Sequence, residues 1–259
     1  MLNLLIKYAK RLLTLLIMAA LFTTAGYCYD QKDQYIKYFI MEETTEVMQT
    51  NRACEVVIRV GEYNNKPGKR IYLNEVDVRY KDIPTDIKIH SDSHGAYIHE
   101  YDINMKEAKA LVEALRANGV NAQLQFTNSK SQDLNAAGRI ANKSNPYLYV
   151  SIHHNYYDSN AKGYFAMYNP NDNQSKIVAD RLSNAIASNG IVIQRENQPN
   201  TGYIGELNAL NKSTTGVLLE LGFFSNGSEL KNICSDNYVN YVSNKLADEL
   251  TKILNEQYR

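Results

Sequence analysis

Cysteine is scarce, with three in 259 residues. Three cannot make a disulfide scaffold, and no two of Cys28, Cys54 and Cys234 have the close spacing of a thiolate metal site. Cys54 and Cys234 either pair or stay as free buried thiols. Net charge is also absent, since 28 basic residues face 28 acidic ones. No overall field steers a polyanion, so nucleic acid is not expected as a partner. There is no internal repeat and no low-complexity tract beyond a mild excess of asparagine. Histidine is sparse too, five in all. Any metal must therefore be held by histidine and carboxylate.

What is present is an apolar fraction of 44% in a chain long enough for one substantial core. The first residues put Lys7, Lys10 and Arg11 ahead of an apolar run from Leu12 to Gly26, followed by small residues. These are the three parts of a secretory signal. The run is shorter than the roughly 20 residues that span a bilayer as a helix, so residues 1–28 read as a cleaved signal peptide or, uncleaved, as a short membrane anchor. Both outcomes export the rest, to the medium, the cell wall or the outer face of the membrane. Tyr27 before Cys28 argues against a lipid-modified terminus.

Residues 29–84 read as an extension containing two β-rich runs, CEVVIRV and KRIYLNEVDVRY. Asn-Asn and Pro-Gly lie between them, which suggests a β-hairpin. In residues 85–259 short strands alternate with helices. TDIKIH, VNAQLQF, YLYVSIH, KGYFAMY and TGVLLELGF read as strands. EYDINMKEAKALVEALRANG, LNAAGRIANKSN, SKIVADRLSNAIASNG and the C-terminal segment bearing Val239, Val242, Leu246, Leu250 and Ile253 read as helices. The implied fold is α/β, a mostly parallel twisted sheet flanked by helices on both faces, with a small β-rich N-terminal extension.

Ligand sites in such sheets collect at the carboxyl ends of the strands. His153 ends YLYVSIH, Glu220 lies near the end of TGVLLELGF, and His94 follows TDIKIH. The histidines form two clusters, His90, His94 and His99 in IHSDSHGAYIHE and His153 with His154 in SIHHN, and Glu100 opens the first helix. Hydrolytic zinc needs about three imidazole or carboxylate ligands and an open position. A further carboxylate must take the proton from the attacking water. Glu220 is the candidate, because a glutamate amid Val-Leu-Leu-Glu-Leu-Gly-Phe-Phe is costly to bury without a nearby cation.

The segments HEYDINMKEAKALVEALRANG, ANKSNPYLYVSIHHN, KGYFAMY and VLLELGFFSNGSEL, in that order, resemble the zinc-dependent N-acetylmuramoyl-L-alanine amidases of the Amidase_3 type. The resemblance covers about residues 87–254 and is strongest at SIHHN and at ELGFFSN, with Glu229 three residues on. It implies a zinc amidase catalytic domain at 85–259 that cuts the amide between N-acetylmuramic acid and L-alanine in peptidoglycan, with one Zn2+ per chain. By position it implies His94, Glu100 and His153 as metal ligands and Glu220 as general base. The family pattern Pro-Gly-His-Gly-Gly is reduced here to His94-Gly95, and only five residues separate His94 from Glu100, so His90 and His99 are alternatives for the first ligand. His154 should point away from His153 if the strand continues, toward a supporting or substrate-side place. Asn155 and Arg139 read as structural support. No wall-binding repeat is recognisable. Two other readings remain open, a catalytically degenerate peptidoglycan-binding or regulatory protein and a zinc peptidase acting on other peptides.

Overall fold

The computed structural model describes residues 52–62, 69–126, 135–187 and 193–258. The expected signal segment, and residues 29–51 after it, lie outside the described residues. The rest belongs to one unit, Arg52–Arg259.

A six-stranded sheet forms the centre. Its strands are β1 (Val56–Val60), β5 (Ala122–Gln125), β6 (Leu148–Asn155), β7 (Phe165–Tyr168), β8 (Gln198–Pro199) and β9 (Thr215–Phe223), in the order β5-β1-β6-β9-β7-β8. The first four are mutually parallel, and β7 runs antiparallel to β9. The fold class read from the sequence is the one observed.

The expected boundary at residue 84 is corrected. β1 lies in the middle of the main sheet, bonded in parallel to β5 and β6, and all five of its residues are buried. It does not form a hairpin with the next β-run. That run supplies β2 (Arg70–Tyr72), which pairs antiparallel with β4 (Gly95–His99), and β4 pairs with β3 (His90–Asp92). TDIKIH is mostly turn and irregular backbone, reaching a strand only at His90. It therefore leads into this second, three-stranded sheet and contributes nothing to the parallel rim.

The buried strands alternate their allegiance between two cores. Val56, Ile58 and Val60, Leu148, Val150 and Ile152, and Val217, Leu219 and Leu221 face a large core that includes residues of α1 (Glu100–Ala117), α3 (Asn173–Ala187) and α6 (Asp236–Gln257). Val57, Tyr149 and Leu218 face a smaller core shared with α2 (Ala136–Ala141) and α4 (Gly205–Asn208). A strand buried on both faces needs apolar residues at every position, which is why β6 and β9 read as near-continuous runs. A short helix, α5 (Gly227–Ile233), follows β9 and is capped by Asn226, whose side chain accepts from the N–H groups of Ser228 and Glu229. Cys54 and Cys234 are free, buried thiols. Among the described residues no helix is long and apolar enough to cross a membrane.

Candidate metal centre

At the carboxyl ends of β1, β6 and β9 the face toward α4 changes from apolar to charged. His153 and Glu220 are register partners on adjacent parallel strands, so their side chains leave the sheet side by side. Glu100 reaches the same place from the first turn of α1, where the positive end of the helix favours a carboxylate. Its Oε1 lies 3.1 Å from His153 Nδ1 and accepts from the backbone N–H of His154 at 3.2 Å and from Asn104 Nδ2 at 3.1 Å. Asn104 Nδ2 also donates to the carbonyl of Gly61 at 3.1 Å. One amide thus ties the end of β1 to the start of α1.

The residue after Gly61 completes the cluster. Glu62, Glu100 and His153 offer ligand atoms that all lie within 4.8 Å of one another, a set able to hold a metal ion. His94 has no part in it. His94 sits at the tip of the β3–β4 hairpin with its side chain 76% exposed, its nearest charge being Asp92 at 3.6 Å. The expectation fails because TDIKIH does not enter the parallel sheet, so the histidine beyond it cannot reach that sheet's rim. The alternatives are placed elsewhere as well. His90 Nε2 meets Asp102 at 2.9 Å, and its ring stacks on Tyr97. His99 is the buried N-cap residue of α1.

Glu206 and Asn104 are further members that a reading of motifs misses. Glu206, on α4, lies 3.7 Å from His153 Nε2 and accepts from the Tyr149 hydroxyl at 3.0 Å. Arg59 stands 3.9 Å behind it. Burial alone would lower the His153 pKa, but carboxylates at both ring nitrogens hold it well above its usual value. Glu206 would be raised by burial, yet His153 and Arg59 bring it down to about 2. Burial pushes Glu220 up to about 7 against the pull of His153, with Glu100 adding to the rise, and its Oε2 is buried with no hydrogen-bond partner. Burial also raises Glu62.

His154 turns to the other face, as alternation requires. Because Asn104 Nδ2 is engaged as a donor, its Oδ1 accepts at 2.8 Å from His154 Nδ1, which fixes the proton on that nitrogen. Burial lowers the His154 pKa to about 3 and keeps it neutral. Glu229 accepts from the N–H groups of Gly163 at 2.7 Å and Phe223 at 2.8 Å, fastening the segment after β9. That is a structural role.

Carboxylates from strand ends and helix starts around one imidazole, at the rim of a parallel sheet, suit metal-assisted hydrolysis. The family model for N-acetylmuramoyl-L-alanine amidases, Amidase_3, matches residues 88–252, well over half of the chain. The chain belongs to that family. It is accordingly a hydrolase of the peptidoglycan amide bond, in a zinc-dependent family. The solved amidase from Clostridium difficile 630 has 22% identity and a TM-score of 0.61, covering 80% of this chain and 99% of that one. The catalytic domain of CwlV from Bacillus (Paenibacillus) polymyxa var. colistinus has 20% identity and a TM-score of 0.61, over 78% and 98%. Ami1 from Mycobacterium smegmatis has 18% identity and a TM-score of 0.59, over 80% and 99%. These likenesses establish the fold. No curated protein matches. The amidase model's match begins beyond β1, so Gly61 and Glu62 are brought to the centre by the structure rather than by that match.

Proposed function

We propose that this amidase cuts the bond between N-acetylmuramic acid and the L-alanine of the stem peptide with one zinc ion held by Glu62, Glu100 and His153, and with Glu220 as general base. The supporting observation is the pairing of His153 with Glu220 across β6 and β9, beside a glutamate delivered by α1. Three features fit a cation. A Cβ on Gly61 would lie 2.4 Å from His153 Nε2, so the bare glycine makes room for the ring. Glu220 Oε2 is buried and unpartnered. The donors are imidazole and carboxylate, both zinc ligands.

A bound zinc ion supplies Lewis acidity that makes water a usable nucleophile near neutral pH. Glu220 takes the proton from the attacking water and returns it to the departing alanine nitrogen. Burial pushes its pKa up, and a cation beside it would draw it back toward the carboxylate form that accepts the proton. Asn104 and the His154 N–H hold the Glu100 carboxylate in place, and Glu206 flanks His153 Nε2. The substrate lies outside the cytoplasmic membrane, in accord with export through residues 1–28, either cleaved or kept as a tether.

Glu220→Ala should lower the rate of peptidoglycan hydrolysis roughly 10²- to 10⁴-fold, with one zinc per chain retained. Hydrolysis is read as new L-alanine amino termini without new reducing ends. Release of those termini at the parent rate by the variant would sink the assignment.

A further inference from the structure

The cluster at the end of β1 contains one imidazole and two carboxylates, Glu62, Glu100 and His153. The family resemblance implies two imidazoles and one carboxylate. Val60-Gly61-Glu62 resembles the Pro-Gly-His pattern in its glycine, and the cluster then has glutamate where that pattern has histidine. Glu62 is not a loose surface acid. The Gly61 N–H donates to the Ile152 carbonyl at 2.9 Å, and the Gly61 carbonyl accepts from Asn104 at 3.1 Å. The backbone leading into Glu62 is thereby pinned against both β6 and α1.

Divalent ions bind nitrogen and oxygen donors in a general order that puts zinc above manganese. Imidazole suits zinc, while carboxylate suits manganese and other hard ions. Replacing an imidazole by a carboxylate narrows the advantage of zinc. It also adds negative charge where charge is already dense, since Glu62, Glu100, Glu206 and Glu220 all surround His153. The unpartnered Glu220 Oε2 is the second sign that a cation belongs there.

We propose that Glu62 is a metal ligand that makes this a two-carboxylate, one-imidazole centre, with a narrower preference for zinc over manganese(II) than a two-histidine centre on the same frame. This rests on the metal-hydrolase reading above. The test is calorimetric titration of the metal-stripped full chain with zinc chloride and, separately, manganese chloride, for the parent, Glu62→His and Glu62→Gln. Circular dichroism confirms that each is folded. Glu62→His should raise the ratio of manganese to zinc dissociation constants about tenfold or more, and Glu62→Gln should weaken both ions by about the same factor. The visible spectrum of the cobalt(II) form should shift in Glu62→His, as nitrogen replaces oxygen.

An unchanged ratio in Glu62→His, or parent-like affinity in Glu62→Gln, overturns the proposal, as does a parent chain that binds neither ion. Failure of the amidase reading looks different. If the ratio moves as expected but the parent releases no L-alanine termini, the ligand assignment stands and the amidase reading falls. If the parent is active and Glu220→Ala is not, while the ratio stays flat, the amidase reading stands and Glu62 is removed from the metal.

Discussion

Glu62 and His94 carry most of the difference between what the chain displays and how it works. His153 and Glu220 were legible because each interrupts an apolar strand at its carboxyl end, where a charged group needs a partner. Glu62 was not, since its segment keeps only the glycine of the Pro-Gly-His pattern and offers a glutamate where a histidine is looked for. The only signal was its place directly beyond a fully buried strand. His94 is picked out by its His-Gly pair and its place beyond TDIKIH, and it is misplaced because TDIKIH is not a strand of the parallel sheet. The geometry makes Gly61 as sensitive as any ligand. A Cβ there would lie within 2.5 Å of three atoms of the His153 ring, and carboxylates at both ring nitrogens oppose a sideways move. Gly61→Ala should weaken zinc binding about tenfold or more and cost about 1–3 kcal/mol of stability. Zinc titration and thermal melting check this, and a variant equal to the parent in both would show that the ring has room to spare.

Among the elements, the helices and the strands β5, β6, β7 and β9 follow from hydrophobic period and turn residues. The hairpin expected for β1 fails for a physical reason. Its partners are β5 and β6, more than sixty residues away in sequence, whereas the next β-run follows closely after turn-forming residues. Local signals favoured a hairpin, and burial on both faces decided for the sheet. α1 shows a second conflict between pattern and packing. Glu100, Asn104 and Glu107 recur at helical spacing on its buried side. The first two serve the metal centre, but both carboxylate oxygens of Glu107 are buried without a hydrogen-bond partner. Burial raises the Glu107 pKa well above the carboxylate range, so the folded chain retains a proton that the unfolded chain gives up. The unfolded state therefore binds fewer protons as pH climbs from the ordinary glutamate range toward neutrality, and stability declines over that window. Glu107→Met should gain about 1–3 kcal/mol at neutral pH and flatten that decline. Denaturant unfolding at about pH 5 and about pH 7 measures both quantities, and a variant less stable than the parent at neutral pH would show that the carboxyl has a stabilising role.

For the whole molecule, the centre joins pieces that would otherwise meet only through packing. Glu62 comes from the end of β1, Glu100 from α1 and His153 from β6, and the unfolded chain holds these far apart. Four glutamates surround one imidazole, and burial raises the pKa of Glu62 and of Glu220. A cation that binds only the assembled set adds stability by mass action, about 2.7 kcal/mol when free ion is a hundred times its dissociation constant. For a folded unit spanning Arg52–Arg259, that corresponds to a rise in melting temperature of about 5–10 °C. The rise should depend on zinc concentration, reverse with a chelator and disappear in His153→Ala. Scanning calorimetry of the full chain across a zinc series measures it. A melting temperature indifferent to saturating zinc would mean that the folded chain gains no stability from the ion, and the three ligands would then have to be sought outside this cluster.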